Sequence, residues 1–413
     1  MASSNLRSPF NLPLAAAMVS FIACGLTLAG VMTLPTDRFA DKGQALASTV
    51  TSTDSSGKTL PMVHELTRYE GASLVAPATL NNLTSSKTDS EIRLRIKGVV
   101  ERNFPVIGEW VGPEVNTSFN FSELLPSWNV ITPPDTGARF DVRVKDAQTG
   151  EWSPWMYMGN WGRVPQRKQE IKFPGGKVEV DILELTRPAS TYQMRATLFS
   201  FDPTGQTSPE LRRVSVSHSA YVASANKRDL IRGTPNSDAD FRRDLPVPFR
   251  AQGVELQNLS SEICSPTSVA MLMQFAGKYV PTRDTALSIY DPEYDLFGNW
   301  NRAVAMAGSL GLDAYLTRIS TIDDARRYVA NGQPLIASIR FKDGEFPSNV
   351  MKSTAGHLIV IRGFNSQGDA IVNDPASRER GNGIIYKADE LERAWIDSAS
   401  GVAYVIARRG LLK

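Results

Sequence analysis

Residues 260–277 read SSEICSPTSVAMLMQFAG, and the C-terminal part of the chain is organised around this stretch. Pro266 suits a first helical turn, because a residue there has no intrahelical N–H partner to lose. Apolar residues then recur at helical spacing as far as Gly277, a residue that favours helix ends. We therefore predict a buried helix that begins near Cys264, where the helix dipole and free N–H groups favour the thiolate. The alternative is a buried structural cysteine.

A histidine that follows this helix is the natural partner for the thiol. The chain has three histidines, and His357 is the only one after Cys264. It stands near the start of residues 356–364, GHLIVIRGF, a run that predicts a buried strand. The sequence thus predicts a cysteine at a helix start and a histidine at a strand entrance.

The residues after this strand supply a carboxylate on the same side. A turn centred on Ser366 and Gln367 leads into a second predicted strand, which Pro375 ends. In that register Asp374 points to the same face as His357 and is its diagonal neighbour, about 7 Å away between Cβ atoms. An imidazole whose second nitrogen is held by a carboxylate is what a general base needs.

The three motifs CSPTSVAM, GHLIV and NDPA resemble those of the C39-like family of bacterial papain-fold cysteine peptidases. Their order along the chain, Cys then His then Asp, is that of the papain fold. The resemblance implies an α+β papain-like domain over residues 244–413. It also implies Cys264 as the nucleophile, His357 as the base and Asp374 as the residue that orients the base.

In that family a glutamine upstream of the cysteine donates to the oxyanion hole. The sequence VPFRAQ, residues 247–252, matches the opening of the family domain and makes Gln252 the first candidate. Gln257, seven residues before Cys264, is the alternative, since papain-type enzymes use a similar spacing. Ser265 stands where the family often has glycine, and we expect this change to be tolerated because that residue contributes mainly its backbone.

Composition sets the outer limits. The chain has 413 residues, 42% of them apolar and 21% charged, which is typical of a globular protein with more than one domain. A net charge of +2 gives no indication of a nucleic-acid partner. The two cysteines are Cys24 and Cys264, so the folded part has one thiol, which excludes an internal disulfide and a cysteine-rich zinc site. We predict no cofactor and no metal.

The N-terminal residues predict export. A mainly apolar run covers residues 12–34, and no acidic residue occurs before Asp37. Residues 1–37 are therefore interpreted as a signal peptide or as a single membrane anchor, and both place the rest of the chain outside the cytoplasm. Residues 38–60 are rich in Ser, Thr, Gly and Asp, which is typical of a linker.

Residues 61–225 predict an all-β, sandwich-like accessory domain, and residues 226–243 a polar connector. The strands are indicated by apolar residues that alternate with period two in residues 92–100, 140–144, 178–183 and 192–199. Five of the seven tryptophans also lie in this region, namely Trp110, Trp128, Trp152, Trp155 and Trp161. Their rings suit stacking on a glycan, but the favoured interpretation is packing in the core or at its edge.

These features together predict a multidomain, exported cysteine peptidase that acts on peptides or proteins. Cell-wall peptidoglycan peptides are one substrate class that export would bring within reach. Two alternatives are open. The first is amidase or transglutaminase-like acyl transfer on the same residues, which an amine acceptor outcompeting water would reveal. The second is a non-catalytic surface protein whose β-domain binds a glycan.

Overall fold

The structure, a computed structural model, describes residues 62–88, 91–99, 104–166, 169–221 and 242–411, all within one compact unit. The predicted N-terminal export segment, the linker over 38–60 and nearly all of the predicted connector over 226–243 lie outside these residues. Within the described part, no helix has both the length and the apolar character needed to cross a membrane.

The N-terminal part of the described chain is β-rich. Its paired strands are antiparallel, and the central hydrogen-bonded order is β2-β5-β11-β6-β12-β4-β3. The elements are β1 (Met62–Glu70), α1 (Ala72–Val75), β2 (Thr79–Asn81), β3 (Leu83–Thr88), β4 (Glu91–Ile96), β5 (Val106–Val111), β6 (Val115–Ile131), β7 (Thr136–Asp146), β8 (Met156–Gly162), β9 (Lys172–Phe173), β10 (Gly176–Glu179), β11 (Ile182–Ser200) and β12 (Glu210–Tyr221).

One predicted strand of this region is wrong. Residues 178–183 do not form one strand, because β10 ends at Glu179 and β11 begins at Ile182, with a hairpin turn between them. The two turn residues are Val180, whose φ is 57°, and Asp181. A two-residue turn preserves the alternation of the strands on both sides, so the period-two pattern passes through it unbroken. Valine is also a rare residue at positive φ, which removed the usual sign of a turn.

The C-terminal part combines helices with an antiparallel sheet of order β14-β19-β15-β16-β17-β18, to which β13 adds at β16. The sequence also predicts helices over residues 282–290, 299–307 and 321–331, the last with a threonine cap and acidic residues in its first turn, and the structure confirms them with small changes of boundary. The elements are β13 (Arg243–Asp244), α2 (Cys264–Phe275), α3 (Thr282–Ile289), α4 (Trp300–Ser309), β14 (Asp313–Arg318), α5 (Ile322–Ala330), β15 (Leu335–Phe341), β16 (Thr354–Phe364), β17 (Ala370–Asn373), β18 (Ile384–Tyr386), α6 (Ala388–Glu392), a π-helical turn (Arg393–Asp397) and β19 (Val402–Ala407).

Helix α2 is the central helix of this part. Residues 265–273 are all buried, and the helix packs against β16. Ser268 Oγ donates to the carbonyl oxygen of Leu358 at 3.0 Å, which fixes the helix against the strand that carries the histidine. Gly277, with φ at 89°, follows the helix end as predicted. The helix start and the strand entrance are thereby held side by side.

The β-rich part covers the edge of the C-terminal sheet. Strand β14 is an edge strand, and its free backbone groups are paired by side chains of β6. Asn129 donates to the carbonyl of Ala314 at 2.7 Å and accepts from the N–H of the same residue at 3.1 Å. Ser127 Oγ accepts from Leu316 N–H at 3.0 Å. These contacts satisfy an edge that would otherwise pair with another chain.

Charged side chains also join the two parts of the chain. The guanidinium of Arg318 on β14 donates to the carboxylate of Glu123 on β6 at 2.5 Å, and both side chains are buried. The Asp181 carboxylate accepts from the backbone N–H of Trp300 at 2.7 Å, at the start of α4. The helix that packs beside α2 therefore begins on a side chain from the β-rich part.

Candidate active site

Cys264 is the first residue of α2 and is partly exposed. Burial alone would raise the pKa of its thiol, but the hydrogen bond with His357 and the positive charge of that ring outweigh burial. The backbone N–H groups of Leu358 and Ser265 act in the same direction. The net effect is a lowered pKa, which favours the thiolate, the nucleophilic form of cysteine.

His357 lies in β16 and is only 2% exposed. Its Nε2 atom is 2.8 Å from Oδ1 of Asp374, so Nδ1 is the nitrogen left to face Cys264. Burial alone would lower the pKa of His357, because it disfavours the charged ring. The negative charge of Asp374 and its hydrogen bond have a larger, opposite effect, and Cys264 adds to it. Together they raise the pKa of His357 to about 10. The favoured state is therefore a thiolate beside an imidazolium.

The carboxylate of Asp374 is completely buried and receives three donors. Oδ1 accepts from His357 Nε2 and from the N–H of Ala376 at 2.9 Å, and Oδ2 accepts from the hydroxyl of Tyr386 at 2.6 Å. Burial would raise the pKa of Asp374, yet the charge of His357 and these hydrogen bonds lower it. Gly381 is required nearby, because a Cβ atom there would lie 2.0 Å from the Asp374 carbonyl oxygen.

The strand register explains how Asp374 reaches the histidine. Phe364 pairs with Ala370, so the turn is centred on Gln367, half a residue from the predicted centre. A register irregularity at Arg362 adds one residue to β16 and compensates for this difference. Beyond it the pairing follows the predicted register, which brings Asp374 to the face of the histidine.

The two candidate glutamines lie in different surroundings. The backbone N–H of Gln252 donates to the carbonyl of Pro375 at 2.9 Å, next to Asp374. Its side chain is half-buried, and its Oε1 atom has no hydrogen-bond partner among the described residues. Gln257 is exposed in a single 3₁₀ turn, Gln257–Leu259. The contacts tie Gln252, rather than Gln257, to the segment that carries the aspartate.

Sequence reasoning missed Tyr386, the donor to Oδ2 of the aspartate. The residue ends β18, a short strand that no pattern in the sequence indicated. Its hydroxyl also accepts from Val350 N–H at 3.3 Å, and its ring lies 4.9 Å from that of Phe346. Both of these partners belong to the loop over residues 342–353. A buried tyrosine close to a candidate triad has no sequence signal beyond its residue type.

The tryptophans of the β-rich part were the candidates for contact with a glycan. Trp152 and Trp155 are partly exposed, and the guanidinium of Arg143 lies 4.5 Å and 4.9 Å from their ring centroids. Arg195 covers Trp155 as well, at 4.5 Å. No group of three or more His, Cys, Asp or Glu side chains in the described ranges is placed to hold a metal ion. The remaining tryptophans of this region are buried, namely Trp110, Trp128 and Trp161.

Two family models match the chain. Residues 244–402 match the Peptidase_C39 like family, and residues 63–219 match the Peptidase C39 N-terminal domain. The C-terminal domain therefore belongs to the C39-like peptidase family, and a β-rich domain that accompanies such peptidases precedes it. This confirms the family predicted from the three sequence motifs and supports a peptidase role in general.

The solved structures with similarity to parts of the chain are distant. A Bacillus anthracis protein described as a C39-like peptidase is 17% identical, with coverage of 40% of this chain and 96% of its own and a TM-score of 0.30. The C-terminal CBM6 of LamC from Zobellia galactanivorans is 13% identical, with coverage of 37% and 98% and a TM-score of 0.19. The CBM22-1-GH10 modules of Clostridium thermocellum xylanase 10B are 11% identical, with coverage of 40% and 30% and a TM-score of 0.21. No curated protein matches the chain.

Proposed function

We propose that this chain is an exported cysteine peptidase that hydrolyses amide bonds in peptides or proteins. The nucleophile is Cys264, the general base is His357, and Asp374 orients and supports the base. The observation that carries the proposal is the 2.8 Å contact between His357 Nε2 and Asp374 Oδ1, which leaves the other ring nitrogen for the cysteine at the helix start. Family membership of the C-terminal domain supports the same chemistry.

The proposal extends to the architecture. The C-terminal domain, over residues 244–413, is a papain-like α+β domain in which the reacting thiol lies between α2 and the antiparallel sheet. The packing of α2 against β16 supports this arrangement. The N-terminal domain, over residues 61–225, is a sandwich-like accessory domain, and its antiparallel strand pairs support that description.

Hydrolysis proceeds in two acyl-transfer steps. In the favoured state the proton of Cys264 is already on Nδ1 of His357, and the thiolate attacks the carbonyl carbon of the substrate amide. When the tetrahedral intermediate collapses, the C–N bond breaks and the amine leaves with the proton from His357. Water then gives a proton to His357 and attacks the thioester carbon. The C–S bond breaks, the carboxylic acid leaves, and the thiolate and imidazolium are restored.

The oxyanion of each intermediate needs donors that are already in place. The Cys264 backbone N–H at the start of α2 is one such donor, because the first N–H groups of a helix have no intrahelical acceptor. Gln252 supplies the second donor from its side-chain amide. The backbone bond from Gln252 to Pro375 supports this role, since it fixes the glutamine beside the aspartate segment.

The location follows from the N-terminal residues. The apolar run over residues 12–34 acts as a signal peptide or a single membrane anchor, and either one exports the domains. Peptides and proteins outside the cytoplasm are then the substrates, including peptides of cell-wall peptidoglycan. The reaction needs no cofactor, because thiolate, imidazole and oxyanion donors are all side-chain or backbone groups.

The experiment is the rate of Cys264 alkylation by iodoacetamide against pH in the full chain. Peptide mass spectrometry measures the labelling of Cys264 separately from that of Cys24. We expect rapid alkylation well below pH 8.5, about the pKa of an ordinary thiol, and a large loss of this rate in His357→Ala. His218→Phe, which replaces a histidine of the β-rich domain, is the matched control and should leave the profile unchanged.

The same preparations then test peptide cleavage. A digest of a denatured protein is incubated with wild type and with Cys264→Ala, and new termini are identified by mass spectrometry. We expect new termini only with wild type. A Cys264 that alkylates like an ordinary thiol in both wild type and His357→Ala would refute the proposed mechanism. Products joined to an added amine, in place of water, would instead indicate a transferase.

A further inference from the structure

Tyr386 completes the surroundings of the aspartate in the candidate triad. Its hydroxyl donates to Asp374 Oδ2 at 2.6 Å, whereas Oδ1 is occupied by His357 and by a backbone N–H. The tyrosine side chain is fully buried. Burial and the nearby carboxylate raise the pKa of Tyr386, so its hydroxyl stays protonated and remains a donor.

The same hydroxyl connects the aspartate to the loop over residues 342–353. Val350 N–H donates to the Tyr386 oxygen at 3.3 Å, and the Phe346 ring packs against the tyrosine ring in an edge-on contact. Phe346 is itself buried and contacts Phe341 at the end of β15. This loop leads directly into β16, the strand of the histidine. Its position is therefore tied to both ends of the His–Asp pair.

A second contact holds the loop on the segment that follows the tyrosine. Ser348 donates to the Glu390 carboxylate of α6 through its N–H at 3.0 Å and through its hydroxyl at 2.5 Å. The N–H of Lys387, which adjoins Tyr386, donates back to Ser348 Oγ at 3.2 Å. The loop is thus fixed at two points, one on the tyrosine hydroxyl and one on the first turn of α6.

From this geometry we infer that Tyr386 is a positioning residue, which fixes the carboxylate of Asp374 so that Oδ1 faces His357 and couples this carboxylate to the loop over residues 342–353. The inference rests on the proposed function of the triad. Without the hydroxyl, Oδ2 would be buried beside aromatic rings with no donor. The carboxylate would then rotate or take up a proton, and both changes weaken its hold on the imidazolium.

The hydroxyl also has an opposite effect on the attraction between Asp374 and the His357 imidazolium. A donor on Oδ2 also withdraws negative charge from Asp374, and its loss would strengthen the attraction to His357 if the carboxylate stayed in place. The buried position decides between them, because an unsatisfied carboxylate oxygen is costly in an apolar site and does not stay in place. The two effects move the pH profile in opposite directions and are separated by experiment.

Two other titratable or charged groups lie around the triad. Tyr404 of β19 lies behind the helix start, with its hydroxyl 3.4 Å from Ser265 Oγ, and its pKa is raised by burial. Arg380, in the segment after β17, contributes a positive charge near Tyr386. The hydrogen bonds of the tyrosine hydroxyl are with Asp374 and Val350, and with neither of these two groups. Tyr386→Phe therefore removes one hydroxyl, the donor to Asp374 and the acceptor for Val350, and leaves these charges as they are.

The test compares Tyr386→Phe with wild type in the full chain, with Tyr192→Phe as the matched control. Tyr192 is a buried tyrosine of the β-rich domain. The readout is the rate of Cys264 alkylation by iodoacetate against pH. This reagent is an anion, so it reacts fastest while the imidazolium lies beside the thiolate, and its rate reports the window between formation of the thiolate and loss of the imidazolium. We expect Tyr386→Phe to narrow this window at both ends by about one pH unit, and Tyr192→Phe to leave it unchanged.

Ser348→Ala is the second variant, and it loosens the same loop from a partly exposed position without a change in the buried tyrosine. We expect a smaller narrowing in the same direction. An unchanged window in Tyr386→Phe would mean that the hydroxyl is only structural, and a wider window would mean that it weakens the His–Asp pair; either result overturns the inference. If Tyr386→Phe does not fold, an unchanged window in Ser348→Ala overturns it. A wild-type thiol without a low-pH window would refute the proposed function instead.

Discussion

Replacement of Asp374 by asparagine isolates the charge of the carboxylate. The asparagine side chain keeps an oxygen that can accept from His357 Nε2, and the Tyr386 hydroxyl can rotate to accept from the new amide group. In wild type, with burial acting against it, the charge of the aspartate is the largest favourable contribution to a His357 pKa of about 10, raised from 6.5. An opposite charge at this distance contributes about 1–3 pKa units.

The expected result follows from the sign of that shift. A raised histidine pKa means that the imidazolium is retained as pH rises and is lost only near the folded-state value. Without the carboxylate charge, the upper limit of the Cys264 alkylation window should fall by about 1–3 pH units. Turnover of a peptide substrate at about pH 7.5 should fall about 10- to 100-fold, which corresponds to about 1.4–2.7 kcal/mol of barrier.

The assay is the pH profile of alkylation by iodoacetate, an anion that needs both the thiolate and the imidazolium, together with peptide turnover on the same preparations. Asp369→Asn is the matched control, because Asp369 pairs with Lys387 at 2.9 Å and lies outside the triad. The control should keep the wild-type upper limit. An upper limit in Asp374→Asn that stays at the wild-type value, or that moves to higher pH, would show that the carboxylate does not support the imidazolium.

Three other outcomes test the site and the fold. Gln252→Ala should reduce peptide turnover by a factor of about 100 or more, because one oxyanion donor is lost, whereas Gln257→Ala should change it less than about twofold; equal losses would remove the assignment. Arg318→Met should lower the free energy of unfolding in urea by about 3–5 kcal/mol, since it leaves the Glu123 carboxylate buried without its partner. Stability equal to wild type would mean that this ion pair is dispensable. Burial lowers the pKa of His218 to about 4, so the wild type should lose stability as pH falls from 6.5 to 4. In His218→Phe this loss, measured as the difference in free energy of unfolding by urea between pH 7 and pH 4, should be smaller by about 2–3 kcal/mol.

Several helices of the C-terminal domain were predictable because their ends have local causes. Thr321 caps α5 through its side chain and Asn299 caps α4, and both residue types are preferred helix caps. Gly277 and Gly311 follow helix ends at positive φ. These signals depend on a few neighbouring residues, so they survive in the sequence.

The hairpin at Val180 shows where local reasoning failed. A β-branched residue at positive φ contradicts local preference, and the turn is held by contacts with another part of the chain. Asp181 beside it accepts from the N–H of Trp300, a residue that is distant in the sequence. Such a contact leaves no trace in the period of the strands on either side.

The sequence by itself determined which three side chains meet at the candidate site. Cys264 is the one cysteine after Cys24, and His357 is the one histidine after Cys264. The alternation of side chains along a strand places Asp374 on the face of His357. Side-chain direction in a strand has a period of two residues, so the register compensation at Arg362 did not disturb this result. The motifs around these residues were also sufficient to predict the family.

Only the tertiary structure decided which residues hold the candidate site and the sheet edge in place. Tyr386 reaches Asp374 from a short strand, and Asn129 covers the edge of β14 from a different domain. The hydrogen bonds of these side chains join residues that are far apart or that lie in irregular segments, where periodicity carries no information. They form because a buried carboxylate and a free strand edge must each find donors or acceptors, and the fold determines which residues are near enough to supply them.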